Sequence, residues 1–90
     1  MAKAMVDPAE LRRFASELKR FNDTLQAEVL SIRRQFTRLG ETWRDQEQAK
    51  FAQDFDQMVH VMGRFAESSN KAVPTLLRKA EAIQQYLDQR

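Results

Sequence analysis

The sequence predicts an all-α protein: a two-helix antiparallel hairpin (helix-turn-helix) that dimerises into a four-helix bundle. Three observations lead there. Only two Gly and two Pro punctuate ninety residues, so the regular elements are long, and long elements in a chain without a membrane span are helices. Large apolar residues recur at helical spacing through both halves. The apolar stripe of the second half is also wider than one antiparallel neighbour can cover, which calls for a partner.

The first helix is expected over 8–39. Asp7 suits the N-cap, Pro8 the first helical position, and Glu10 completes a capping-box-like start. Leu11, Phe14, Leu18, Phe21, Leu25, Val29, Ile32, Phe36 and Leu39 then follow in steps of three and four. The two successive steps of four around Leu25 form a stutter, which locally relaxes any supercoil. At about 1.5 Å per residue this helix is roughly 48 Å long.

Gly40 falls where a left-handed C-terminal cap belongs, and the turn is placed over 40–44. Thr42 and Asp45 are both suited to cap the second helix, expected over 45–88. Its apolar positions lie in three columns of seven-residue period. Ala52, Val59, Ala66, Val73, Ala80 and Leu87 form one; Phe55, Met62, Ser69, Leu76 and Ile83 the second; Phe51, Met58, Phe65 and Ala72 the third. Pro74 lacks the N–H that would bond the Asn70 carbonyl, and Ser68, Ser69 and Asn70 are weak helix formers. A kink or short break near 70–74 is therefore suggested. Because the columns continue through Val73, Leu76, Ala80, Ile83 and Leu87, a kink with the same face kept inward is expected, with a separate third helix from Pro74 onward as the alternative.

All 1–90 residues form a single domain in this reading. Two helices bury only the seam between them, while ordering each residue costs about 1.5 kcal/mol, so a lone hairpin is marginal. Pairing two hairpins closes the apolar faces. The interface is expected to use Leu18, Phe21, Leu25, Phe55, Met58, Val59, Met62 and Phe65, in a homodimer or a heterodimer with a similar hairpin.

Charge is abundant but balanced: fifteen Lys plus Arg against thirteen Asp plus Glu. The paired cations Arg12–Arg13, Lys19–Arg20 and Arg33–Arg34 are interleaved with Glu10, Glu17, Asp23 and Glu28, unlike the clustered excess of a phosphate-binding surface. No nucleic-acid partner is expected. No apolar run is long enough for a transmembrane segment, and Met1 to Val6 lacks the apolar core of a cleavable secretion signal.

Chemistry-bearing constellations are missing too. The chain has no Cys and a single His, His60, flanked by Asp56 and Arg64 one turn away on either side, so zinc lacks a ligand set. No Ser lies in a nucleophile-elbow context, and Gly40 and Gly63 do not make a phosphate-cradling loop. The reading is no enzyme and no cofactor. Trp43, the single Trp, sits at the chain's midpoint, placed either to plug the end of the bundle beside Leu39 or to anchor a partner.

Two long helices with a midpoint Trp, and the stretch Leu39-Gly40-Glu41-Thr42-Trp43-Arg44-Asp45 with Phe51 two turns on, resemble the WXG family, the early-secreted-antigen-like proteins of type VII secretion. The likeness in architecture spans Asp7 to Leu87. It implies hairpins that pair as homo- or heterodimeric four-helix bundles, are made in the bacterial cytoplasm without a cleavable signal, and are exported folded. It further implies contacts with secretion machinery or a larger toxin, for which some members serve as adaptors. Asp45 stands where the family motif has Gly, and Arg90 occupies the acidic position of the family's C-terminal export signal, which here begins at Tyr86. In the family the Trp of one protomer lies near its partner's Tyr motif, so Trp43, Asp45 and Tyr86 are the implied recognition residues. The expected function is a secretion-associated partner or adaptor. The alternative is a cytoplasmic adaptor or chaperone-like module that holds a client helix on the broad face of the second helix.

Overall fold

The computed structural model describes residues 6–89: two helices, α1 (Pro8–Leu39) and α2 (Gln46–Asp88), packed antiparallel into a rod of 68 × 24 × 16 Å. Arg90, and with it the comparison to an acidic export residue, lies outside the described residues, as do Met1 to Met5.

The start of α1 follows from three adjacent residues. The Asp7 carboxylate accepts from the Ala9 N–H at 2.9 Å, the Asp7 carbonyl takes the first helical bond from Leu11 N–H at 3.0 Å, and Pro8 fills the position where no donor is needed. Glu10 in the first turn and Arg38 in the last both oppose the helix dipole's end charges.

The end of α1 differs from the left-handed cap expected at Gly40. Gly40 keeps right-handed helical angles, φ −66° and ψ −11°, and no described residue has a positive φ. The chain instead tightens. Glu41 N–H donates to Arg38 O and Thr42 N–H to Leu39 O, each at 3.1 Å, and Trp43 N–H reaches the same Leu39 carbonyl at 3.0 Å. The Arg44 Nε–H donates to Gly40 O at 3.1 Å, so the carbonyls of Arg38, Leu39 and Gly40 find donors without a left-handed residue. Glycine still suits the position, because a Cβ there would lie 3.3 Å from Thr37 O.

Asp45 rather than Thr42 caps α2. Asp45 is extended (φ −97°, ψ −173°) and its carboxylate accepts from Gln48 N–H at 2.9 Å, whereas the Thr42 hydroxyl points back at Leu39 O. From there α2 is helical without interruption through Pro74, so neither a break near 70–74 nor a separate third helix forms, and the same face is kept inward. The seam explains the continuity. Ala66 and Ser69 before Pro74 and Ala80 after it are all buried, so one face of α2 stays against α1 across the proline.

The core is this seam. On α1 it follows the seven-residue series Pro8, Ala15, Asn22, Val29, Phe36, flanked by half-buried Leu11, Leu18 and Leu25. Among the described residues the buried apolar side chains are all small: Ala15, Ala66 and Ala80, with Pro8 at the start of α1. The apolar series read from the sequence is thus split: Phe14, Phe21, Ile32 and Leu39 remain exposed, because two helices alone cannot wrap a stripe that wide. Among the described residues no helix is long and apolar enough to cross a membrane.

Candidate functional site

Two features adjoin the seam of the hairpin. The first is the aromatic end. Phe36 on α1 meets Phe51 at 5.5 Å and Phe55 at 4.8 Å between ring centroids, Phe51 and Phe55 stack at 5.9 Å, and Trp43 leans on Phe51 at 6.1 Å. These separations lie in the attractive range for offset and edge-on rings. Trp43 is half-buried, so it closes the end of the hairpin and still presents part of its indole outward. Asp45, two residues on, spends its carboxylate on the α2 cap.

Tyr86 lies at the other end of the rod, 59% exposed. Forty residues of α2 separate its first turn from Tyr86, about 60 Å at 1.5 Å per residue. One chain therefore does not bring Trp43 and Tyr86 together.

The second feature is an uncovered apolar face. Phe21 on α1 touches Phe65 on α2 edge-on at 6.3 Å, yet both remain about half exposed. Phe14, Ile32 and Leu39 continue the face along α1, and Phe51 and Met58 along α2. Of the eight residues read as an interface, Phe21, Met58 and Phe65 are exposed, and Leu18, Leu25 and Met62 are half-buried at the rim of the seam. Phe55 is half-buried within the aromatic end. Val59 lines an open groove with Gln26, Arg33, His60 and Arg64. The interface reading left out Phe14, Ile32, Leu39 and Phe51; the signal for them was their place in the same seven-residue columns.

Polar groups elsewhere show no concerted chemistry. His60 is exposed, its Nδ1 3.0 Å from the Asp56 carbonyl and 3.7 Å from the Asp56 carboxylate. Arg12 and Glu81 approach across the helices at 3.8 Å, while Lys19–Asp23 and Arg20–Glu17 pair along α1. All are solvated pairs of small energetic weight. Among the described residues no three His, Cys, Asp or Glu side chains gather to hold a metal ion. The polar residue that sequence reading missed is Asn22, fully buried and donating from Nδ2 to Asn70 Oδ1 at 3.0 Å. Its place midway in the Ala15–Val29 interval of the seam series was the available signal.

Two long antiparallel helices, an aromatic-plugged turn carrying the single Trp at mid-chain, and a bare apolar face define a small helical-hairpin protein of the Trp-turn class. The chain belongs to the WXG100 family, described as proteins of 100 residues with WXG, which it matches over residues 3–89. Among solved structures it is similar to the secreted protein EsxB of Bacillus anthracis str. Sterne. Wild-type EsxB superposes with a TM-score of 0.78 at 25% identity, covering 94% of this chain and 99% of that one. A single-site variant of EsxB gives 0.75 at 25% identity, covering 93% and 97%. No match is found among curated proteins.

Proposed function

We propose that this chain is a secretion-associated hairpin that works as a pair, as partner or adaptor for exported cargo, and that it leaves the bacterial cytoplasm itself in that form. The observation that carries the reading is the exposed face running through Phe14, Phe21, Ile32, Met58 and Phe65. So much contiguous apolar surface on a rod this thin is costly in water and is relieved when a second hairpin covers it. Membership of a family whose proteins pair as hairpins, and likeness to a secreted protein, support the same conclusion.

The separation of Trp43 and Tyr86 within one chain adds a geometric reason for pairing. In an antiparallel arrangement of two rods, the turn of one protomer lies beside the open end of the other. Trp43 of one chain and Tyr86 of the other then form a composite recognition end at each extremity, where secretion machinery or a larger toxin docks.

The test is solution mass by light scattering over a dilution series. A persistent species near twice 10.6 kDa supports self-pairing. Met58→Asp with Phe65→Asp would then convert it to monomer with its helicity reduced but present. A parent chain that is monomeric and well folded at micromolar concentration overturns self-pairing; binding of a client helix to the same face by that monomer would favour the chaperone-like alternative.

A further inference from the structure

The charges of α1 are settled differently in its two halves. Toward the open end Arg12 approaches Glu81, Lys19 pairs with Asp23 and Arg20 with Glu17. Toward the turn, the stretch from Val29 to Leu39 carries Arg33, Arg34 and Arg38 and no acidic residue. Among the described residues none of these three arginines enters an ion pair. Arg34 and Arg38 stand one turn apart on the same row, a like-charge spacing that works against the helix. The helix dipole favours Arg38 in the last turn, but its effect fades before Arg33 and Arg34.

The surface around these cations is shaped to receive something. Leu30, Arg34 and Arg38 form one i, i+4 ridge and Arg33 and Thr37 the next, and the five residues line a shallow groove of ≈ 550 Å³. Leu30, at one end of it, is 52% exposed. At about 100° per residue, Leu30 and Thr37 follow the seam residues Val29 and Phe36 by one step, whereas Phe14 and Phe21 precede Ala15 and Asn22 by one step. The groove and the phenylalanines therefore flank the seam on opposite sides, and covering one leaves the other free.

A groove between two i, i+4 rows accepts the ridge of another helix. Arginine forks take carboxylates in bidentate fashion. Carboxylates one turn apart on a facing helix match the spacing of Arg34 and Arg38, about 6 Å along the axis. An apolar side chain in the next turn of that helix covers Leu30. A lipid surface suits the groove less, because Leu30 is the single large apolar residue among the five and a helix that lies in a membrane needs a whole apolar face.

We infer that this groove docks an acidic helix of a partner protein, one that presents two carboxylates a turn apart beside an apolar residue. The inference uses one helix of one chain and depends on neither pairing nor secretion.

The experiment uses the full chain and a fluorescein-labelled, alanine-based helical peptide with Glu one turn and two turns away on either side of a central Leu. Binding is read by fluorescence polarisation at low salt. The parent should bind the peptide. Arg34→Gln with Arg38→Gln should lower the affinity about tenfold or more, and Leu30→Ala should lower it by a smaller factor. Arg13→Gln with Arg20→Gln removes the same charge nearer the open end, from the seven-residue column that Arg34 shares, and should lower it by about twofold at most. All of these positions are exposed, so far-UV helicity should stay at the parental level. Equal losses in the two arginine variants would show that the peptide senses net charge alone and overturn the inference, as would a parent that leaves the peptide unbound. Two further results overturn it when the peptide does not bind. Phosphatidylglycerol vesicles captured through Arg34 and Arg38 would place a lipid surface in the groove, and self-association lost in Arg34→Gln with Arg38→Gln would place a second copy there.

Discussion

Trp43 and Phe51 stand 6.1 Å apart, ring centroid to ring centroid, with their planes 37° from parallel. The contact ties the turn to the first turns of α2 and joins Trp43 to the cluster of Phe36, Phe51 and Phe55. The Trp of this family's hallmark is thus both a structural plug and, by its uncovered part, a surface residue. The two roles separate experimentally, and the following predictions begin there.

Trp43→Ala removes the outermost ring of the cluster while leaving the Phe36–Phe55 contact in place. Stability should fall by about 1–2 kcal/mol, with far-UV helicity nearly intact. Appearance of the protein outside the cells that make it should drop. If helicity is retained and export and partner capture are both unchanged, Trp43 serves the fold alone.

Asp45 replaces the motif glycine and carries the α2 cap through its bond from Gln48 N–H. Asp45→Ala should cost about 1 kcal/mol in chemical denaturation, because Ala leaves that donor unpaired. Asp45→Gly, which restores the motif residue, should cost only a few tenths, since glycine is a tolerated N-cap. Equal losses for the two variants would show that the carboxylate is not the capping group.

Gly63 and Ala80 should respond in opposite senses to added side-chain atoms. A Cβ at Gly63 meets nothing within 4 Å, and the residue is exposed in mid-helix, so Gly63→Ala should stabilise the hairpin by about 0.5–1 kcal/mol. Ala80 is wholly buried where the helices approach closely, and Ala80→Leu should destabilise by about 1–3 kcal/mol through overpacking. Thermal melts of both variants against the parent provide the check.

Pro74→Ala returns an N–H to the Asn70 carbonyl at an exposed position of an unbroken helix. The restored bond and the relief of ring crowding outweigh the greater freedom of the unfolded chain. The thermal midpoint should therefore rise, by roughly 1–2 kcal/mol in equivalent stability once the two effects are set against each other. A lowered midpoint would mean that the proline relieves strain elsewhere in the seam.

Much of the molecule is decided locally and was legible as such. Asp7, Pro8 and Glu10 define a helix start by their own side-chain chemistry, and three-and-four spacing from Leu11 to Leu39 defines one continuous helix. Trp43 in its short motif pointed to the family before any tertiary contact was known. These features depend on bonds and faces spanning a few residues, which spacing and side-chain type are enough to specify.

Other features arise only when α1 meets α2. Periodicity shows that Phe14, Phe21 and Ala15 are apolar in a helical pattern, but only packing decides that the small Ala15 is inside and both phenylalanines are bare. Glycine at position 40 suits a left-handed cap, whereas the tightened turn that carries Trp43 onto Phe51 keeps it right-handed. Pro74 and its weak helix-forming neighbours leave a separate third helix open on local grounds, and the helix runs on through Pro74 with Ala66, Ser69 and Ala80 buried on one face against α1. Asn22 looks like any polar residue on a charged helix until α2 places Asn70 opposite it. The sequence by itself determined two helices, their turn and their kinship; the tertiary structure decided which side chains lie between the helices and which stay exposed. The physical reason is that propensity and capping act within a few residues, while burial is a property of two surfaces brought together.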